Sequence, residues 1–164
     1  MRARIFQLNV SPGGVPKRAV AFADLTPLGL AGDAVTKTRV HGGPTRALCL
    51  YALERILALQ EEGATIFPGA IGENVTTVGL DWDQVVPGAR LSLGDAEIEI
   101  TKYAVPCNTT SPFVCEDLAR YAQDKNPGWS RVYARVLKTA RLEPGMPVRR
   151  LDMTFNSTNP PMSL

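Results

Sequence analysis

Histidine is almost missing from this chain: His41 is the only one in 164 residues. Cysteine is nearly as scarce, with three residues at positions 49, 107 and 115. So small and odd a set does not build a disulfide framework, and it suits a reducing compartment such as the cytoplasm. A structural zinc site wants four His or Cys ligands at close spacing. Here no Cys-x-x-Cys occurs, and Cys107 and Cys115 stand eight positions apart. An excess of one charge sign is also lacking: 18 Lys and Arg face 16 Asp and Glu, for a net charge of +2. Without a dense basic block, or aromatics interleaved with basic residues, the footprint of a nucleic-acid binder is missing. No apolar run approaches the roughly 20 residues of a membrane span. The first residues, Met1-Arg2-Ala3-Arg4-Ile5-Phe6-Gln7, lack the apolar stretch of a secretory signal.

What the chain does have is an ordinary globular balance, 45% hydrophobic and 21% charged. Its length predicts one domain with a sizeable core. The 14 glycines and 13 prolines are spread along the sequence, punctuating many short segments. That pattern favours strands over a helical bundle. Alternation predicts a first strand through Phe6, Leu8 and Val10, closed by Ser11-Pro12-Gly13-Gly14. Further strands are predicted over 19–25, 35–40, 46–51, near Val75, and at 131–139 and 148–151. A hairpin joins Ala89-Leu91-Leu93 to Ala96–Thr101 through Gly94-Asp95. Helices are predicted over 52–62, stopped by Gly63, and over 113–123. The expected architecture is mainly β with peripheral helices, a small β-barrel forming one domain over 1–151. A polar, loosely ordered tail covers 152–164.

Chemistry concentrates in a few places. Cys107 follows the alternating strand in Tyr103-Ala104-Val105-Pro106-Cys107-Asn108. Pro106 restricts the backbone before it, so the thiol is presented at a strand end, although plain packing is an equally open reading. Cys49, between Leu48 and Leu50, reads as core, and Cys115 as packing on a helix face. A Cys107–His41 hydrolase couple requires only closeness in space, but no protease signature accompanies it. His41 on its own reads as a hydrogen-bonded structural histidine or as a catalyst. His41-Gly42-Gly43 and Gly69-Ala70-Ile71-Gly72-Glu73-Asn74 offer backbone N–H groups to an anion, or form tight turns. Neither is a Walker loop or a dinucleotide fingerprint.

Taken together, these segments resemble a known family. Gly29-Leu30-Ala31-Gly32-Asp33, His41-Gly42-Gly43-Pro44-Thr45-Arg46-Ala47, Gly69 through Leu80, Gly94-Asp95 and Pro106-Cys107 occur in the order and spacing of the MOSC domain. That domain is named for the C-terminal part of molybdenum cofactor sulfurase. The resemblance runs from about Leu28 to Leu151. It implies a strand-rich β-barrel and binding of the molybdenum cofactor, molybdopterin, with Cys107 as the metal ligand. Asn74, Thr76, Thr77, Arg46, Gly42 and Gly43 would lie around the pterin or its phosphate, and His41 would shape or acid-catalyse the site. Lys37, Arg39 and Lys102 are further cations near these segments. Relatives include reductases of N-hydroxylated compounds, which implies an oxidoreductase with a small N-hydroxylated substrate and a separate electron-donor protein. Pyridoxal phosphate binding accompanies the family as an association only. The alternative is a non-catalytic carrier of the cofactor, or of sulfur as a persulfide on Cys107. One departure stands out: relatives carry Arg-x-Pro-Cys, and here the arginine position is Ala104. Alanine cannot supply the bidentate guanidinium.

Overall fold

The structure, a computed structural model, describes residues 2–34, 42–108, 110–114 and 117–151. His41, Cys115, Lys37 and Arg39, the strand predicted over 35–40 and the tail from 152 fall outside those residues. In chain order the elements begin with β1 (Arg4–Val10), β2 (Arg18–Val20), β3 (Ala23–Thr26), β4 (Gly29–Leu30), β5 (Leu48–Ala52) and α1 (Leu53–Glu61). There follow β6 (Val75–Val78), β7 (Arg90–Leu93), β8 (Ala96–Tyr103), α2 (Ser111–Val114), β9 (Val132–Lys138), β10 (Arg141–Leu142) and β11 (Val148–Arg150). An eight-stranded sheet runs β11-β7-β8-β9-β5-β6-β1-β2, and a three-stranded sheet runs β10-β3-β4. The fold is mainly β with peripheral helices.

The large sheet is not closed into a barrel, because β11 and β2 end its order. β11 does, however, touch the start of β1, the strand next to the other end. Arg4 bridges Pro147, the Ile5 amide donates to the Met146 carbonyl (2.9 Å), and the Val148 amide donates to the Ala3 carbonyl (3.0 Å). Pro147 sits at a non-hydrogen-bonded position of this pairing, where its missing N–H is not needed. The C-terminal half of β1 instead pairs with β2, from Leu8↔Val20 to Val10↔Arg18.

Local chemistry accounts for several departures from simple alternation. A register shift between Ile5 and Gln7 puts a bulge at Phe6. The extra residue changes face, so Ile5 and Leu8 are both fully buried while Phe6 points outward. The strand predicted over 19–25 is broken at Ala21-Phe22 and serves two sheets as β2 and β3. The helix predicted over 113–123 is a short α2 and a separate 3₁₀ turn at Leu118–Tyr121. Asp117 is extended (φ −85°, ψ 93°) and its carboxylate accepts from the Ala119 amide, so it starts the second turn rather than continuing the first.

Elsewhere the sequence pattern holds. β5 and β6 are parallel, which requires a crossover, and α1 supplies it with Ile56 and Leu59 turned inward. The β7–β8 hairpin turns at Gly94, whose φ of 57° suits a loop with glycine first. Ala96, Ile98 and Ile100 face a core that also holds Leu48, Leu50, Tyr51, Leu91, Leu93 and Val132. Each large apolar side chain so buried contributes about 2 kcal/mol.

Candidate functional site

The polar positions of β1, β5, β6 and β9 meet at one end of the large sheet. A cavity of about 400 Å³ opens there. Its strand wall is made by Cys49 of β5, Asn74 just before β6, Arg131 just before β9 and Tyr133 within it. Its outer wall comes from loops and includes Gly42, Arg46, Gly72 and Cys107.

Asn74 ties the strand wall together. Its amide donates to the Cys49 carbonyl (2.7 Å), and its Oδ1 accepts from the Cys49 amide (3.1 Å). Its Nδ2 donates to Asp33 Oδ2 (2.8 Å) and to the Asn9 carbonyl (3.3 Å). A carboxamide can both give and accept, which lets one side chain bind β1, β5 and the Asp33 loop at once. Asp33 in turn accepts from Lys17 Nζ (2.5 Å) and from the Ser11 amide (2.9 Å). The Lys17 and Asp33 side chains are only 10% and 8% exposed.

Thr76 and Thr77 are fully buried behind this wall and are not among the cavity-lining residues. Thr76 Oγ1 accepts from Asn9 Nδ2 (3.1 Å) and donates to Glu73 Oε1 (3.3 Å), while Thr77 Oγ1 donates to the Tyr51 carbonyl (3.5 Å). Glu73 Oε1 also accepts from the Gly69 amide (2.7 Å). The amides of Ala70, Gly72 and Asn74 go to Phe67, Gly69 and Cys49. The glycine-rich segment therefore spends these amides on Glu73 Oε1 and on its own and β5 carbonyls rather than offering them as a cradle. Gly69 is required for the close approach: a Cβ there would lie 2.5 Å from the Lys17 carbonyl oxygen. Burial raises the Glu73 pKa, against the opposing pull of its hydrogen bonds and of Arg131.

On the loop wall, Gly42 and Gly43 both hold φ 80°. Arg46 Nε donates to the Gly42 carbonyl (3.2 Å), keeping the guanidinium at the cavity. Cys107 is half-buried and lines the cavity. Its carbonyl accepts from both the amide (3.0 Å) and Oγ1 (2.7 Å) of Thr110, whose hydroxyl also pairs with Tyr121. Upstream, the Ala104 amide donates to the Arg131 carbonyl (2.9 Å) and the Ala104 carbonyl accepts from Ser130 Oγ (2.9 Å). The Cys107 loop thus leaves β8 pinned to the chain just before β9.

Cys49, Lys17, Asp33, Arg131 and Tyr133 are site residues that sequence reasoning did not select. Cys49 is buried in the core, as its neighbours suggest, yet it also faces the cavity. Burial pushes its thiol up to about 11, while the Arg131 guanidinium beside it pulls the other way. Arg131 is 3% exposed. Its Nη1 donates to the Ile71 carbonyl, but Nε and Nη2 have no hydrogen-bond partner. Lys102 is exposed on β8 and does not line the cavity, so it does not stand in for the arginine missing at position 104. The only signal for Arg131 in the sequence is the combination of that missing arginine with an extra one just before the neighbouring strand.

Fold and site together define a mainly β domain whose cavity carries a half-buried thiol and buried cationic side chains. The chain belongs to the MOSC domain family, which it matches over residues 37–149. It is similar to Protein YiiM of Escherichia coli (strain K12), 36% identical over 111 residues, which cover 64% of this chain and 50% of YiiM. It is also similar to YflK of Bacillus subtilis (strain 168), 29% identical over 116 residues, 70% of this chain and 52% of YflK. The chain thus spans about half the length of these two relatives. Among solved structures, YiiM from Geobacillus stearothermophilus superposes with a TM-score of 0.71 at 25% identity, covering 92% of this chain and 75% of that one. YiiM from Escherichia coli gives 0.71 at 26% identity, covering 94% and 71%. No helix among the described residues is long and apolar enough to cross a membrane.

Proposed function

We propose that this protein binds the molybdenum cofactor and reduces N-hydroxylated small molecules, with Cys107 as the protein ligand to molybdenum. The observation that carries this reading is that the half-buried Cys107 thiol opens into the same cavity as the buried, partly unpartnered Arg131 guanidinium. A soft thiolate suits a soft metal site, and a guanidinium suits the anionic parts of a pterin cofactor. The described residues hold no cluster of three or more His, Cys, Asp or Glu. Molybdopterin brings its own two sulfurs, so one protein thiolate is enough. The residues present suit the cofactor, since an anionic oxygen of it would satisfy the two nitrogens of Arg131 that lack a partner.

When bound, the cofactor supplies a two-electron centre suited to removing a nitrogen-bound oxygen as water. The chain's own residues hold and orient it. Arg46 and Gly42 form the rim, Gly43 lies outside the cavity lining, and Asn74 fixes the strand wall. Thr76 and Thr77 act one layer back, by holding Asn9, Glu73 and β5 in place. His41 is assigned proton delivery on the family resemblance. A separate protein would deliver electrons. Cys49 and Cys107, neither of them in a disulfide, suit a reducing, cytoplasmic setting.

The missing arginine at Ala104 favours the carrier reading, and Arg131 weakens that by placing a guanidinium in the cavity by another route. Expression in a host that makes molybdopterin, followed by elemental analysis, separates the two. The reductase reading expects near-stoichiometric molybdenum in the wild type and at least a tenfold loss in Cys107→Ser. It also expects turnover of a hydroxylamine or amidoxime with a chemical electron donor. No metal in either protein, with an added sulfur mass on Cys107, would establish the carrier instead. Metal without turnover would sink the reductase.

A further inference from the structure

Arg131 is the most unusual residue in the cavity. A guanidinium cannot shed its charge in a protein, so burial cannot be relieved by deprotonation as it is for lysine. An uncompensated buried charge is strongly destabilising. Nη1 is committed to the Ile71 carbonyl, yet Nε and Nη2 are buried without a partner. These two nitrogens lie on one edge of the planar group, with their N–H bonds parallel. That edge is the fork that grips two oxygens of a carboxylate or phosphate at once. Glu73 does not fill it, since Glu73 Oε2 is itself without a partner. The Cys49 thiol beside the guanidinium is only a weak acceptor. Gly72 leaves space near the other nitrogen: a Cβ there would stand 3.8 Å from Nη1 and 3.1 Å from a Val15 methyl.

We propose that the Nε–Nη2 edge of Arg131 is a bidentate subsite for a tetrahedral oxyanion, and that it supplies from just before β9 the guanidinium that Ala104 cannot supply from just after β8. Backbone and side-chain geometry both support the relocation. Positions 104 and 131 are joined by a 2.9 Å hydrogen bond between neighbouring segments. The Ala104 side chain packs against Cys49 and Tyr133, both of which line the cavity. A guanidinium starting at either position therefore serves the same wall. The surroundings favour an anion: Lys17 is matched by Asp33, and Arg46 and Arg131 add positive charge to the lining.

The chemistry is that of a phosphate monoester, free phosphate or another tetrahedral oxyanion such as molybdate. Identifying the natural anion as the cofactor's phosphate rests on the reading above. The test uses full-length protein made in a host unable to make molybdopterin, titrated with inorganic phosphate and with molybdate by calorimetry or amide chemical shifts. The wild type is expected to bind, Arg131→Met to lose at least tenfold in affinity, and Arg131→Lys to lose less while remaining below wild type. Circular dichroism establishes folding, and the lysine variant carries the test if the methionine variant fails to fold. No binding by the wild type, or equal binding by a folded Arg131 variant, overturns the subsite. The two proposals fail separately. Molybdenum missing from protein made in a competent host, with Arg131-dependent phosphate binding intact, refutes the cofactor reading alone. Normal molybdenum loading with oxyanion binding indifferent to Arg131 refutes the subsite alone.

Discussion

The two ends of the large sheet treat polar residues in opposite ways. At the hairpin end, through β7, β8 and β9, Leu91, Leu93, Ile98 and Ile100 are buried while Arg90, Glu97, Glu99 and Arg135 lie toward water. At the cavity end the inside is polar: Asn9, Glu73, Asn74, Thr76, Thr77 and Arg131 are all buried. Burying such groups is costly unless each finds a partner. Asn9, Asn74, Thr76 and Thr77 do so within the chain, leaving unpartnered atoms on Glu73 and Arg131. The hairpin end is thus built for stability. The cavity end departs from that pattern where a ligand is needed to complete it.

The sharpest way to break this contrast is to remove Asp33. Asp33→Ala leaves Lys17 charged and nearly buried, and removes an acceptor from both Asn74 and the Ser11 amide. The expected loss is about 3 kcal/mol, read from the urea midpoint at neutral pH. A loss below about 1 kcal/mol would place this pair in the same class as exposed ion pairs, and the cavity end would not be special.

Cys49 gives the next largest effect. Its thiol is raised from 9.0 to about 11, mainly by burial. In the folded protein it stays protonated where the unfolded chain has begun to ionise. Stability from this group is therefore complete below pH 9 and declines as pH rises from 9 through 11. The decline is about 1.4 kcal/mol by pH 10 and about 2 kcal/mol by pH 11. Burial also raises Tyr51 and Tyr133, which act in the same direction at higher pH, so the difference between wild type and Cys49→Ala isolates the thiol. In the same preparations at pH 8, iodoacetamide should label the half-buried Cys107 well before Cys49. Equal labelling would mean that the strand wall opens as freely as the loop wall.

How much the sequence discloses follows the same division. Strict alternation in Ala96-Glu97-Ile98-Glu99-Ile100 predicts the hairpin because one face meets the core and the other meets water. Helix α1 is legible for the same reason, through its apolar spacing and the glycine after it. At the cavity end, alternation misleads. The bulge at Phe6 exchanges faces, and Asn9 goes inward to hydrogen-bond Thr76. Cys107 is legible from its place after Pro106. Arg131 is not, because a single sequence shows that arginine is missing at 104 without showing which segment lies beside it. Barrel closure also depends on pairing between distant segments, and the single bridge between Arg4 and Pro147 cannot be seen in local pattern.

Glu99 tests the hairpin end and should give the smallest effect. It bridges two strands, accepting from Arg90 Nε of β7 (3.1 Å) and Arg135 Nη2 of β9 (2.6 Å). The geometry is good, but the arginine side chains are 56% and 48% exposed, so water solvates them once the carboxylate is gone. Screening by salt already weakens such pairs. Glu99→Gln keeps the side-chain shape and is expected to cost less than about 1 kcal/mol, shrinking further between 0.05 and 0.5 M NaCl in urea titrations. Asp33→Ala should show little of that salt dependence, since its pair is shielded from ions. If Glu99→Gln instead costs as much as Asp33→Ala and resists salt, burial does not separate the two ends, and the polar lining of the cavity needs another explanation.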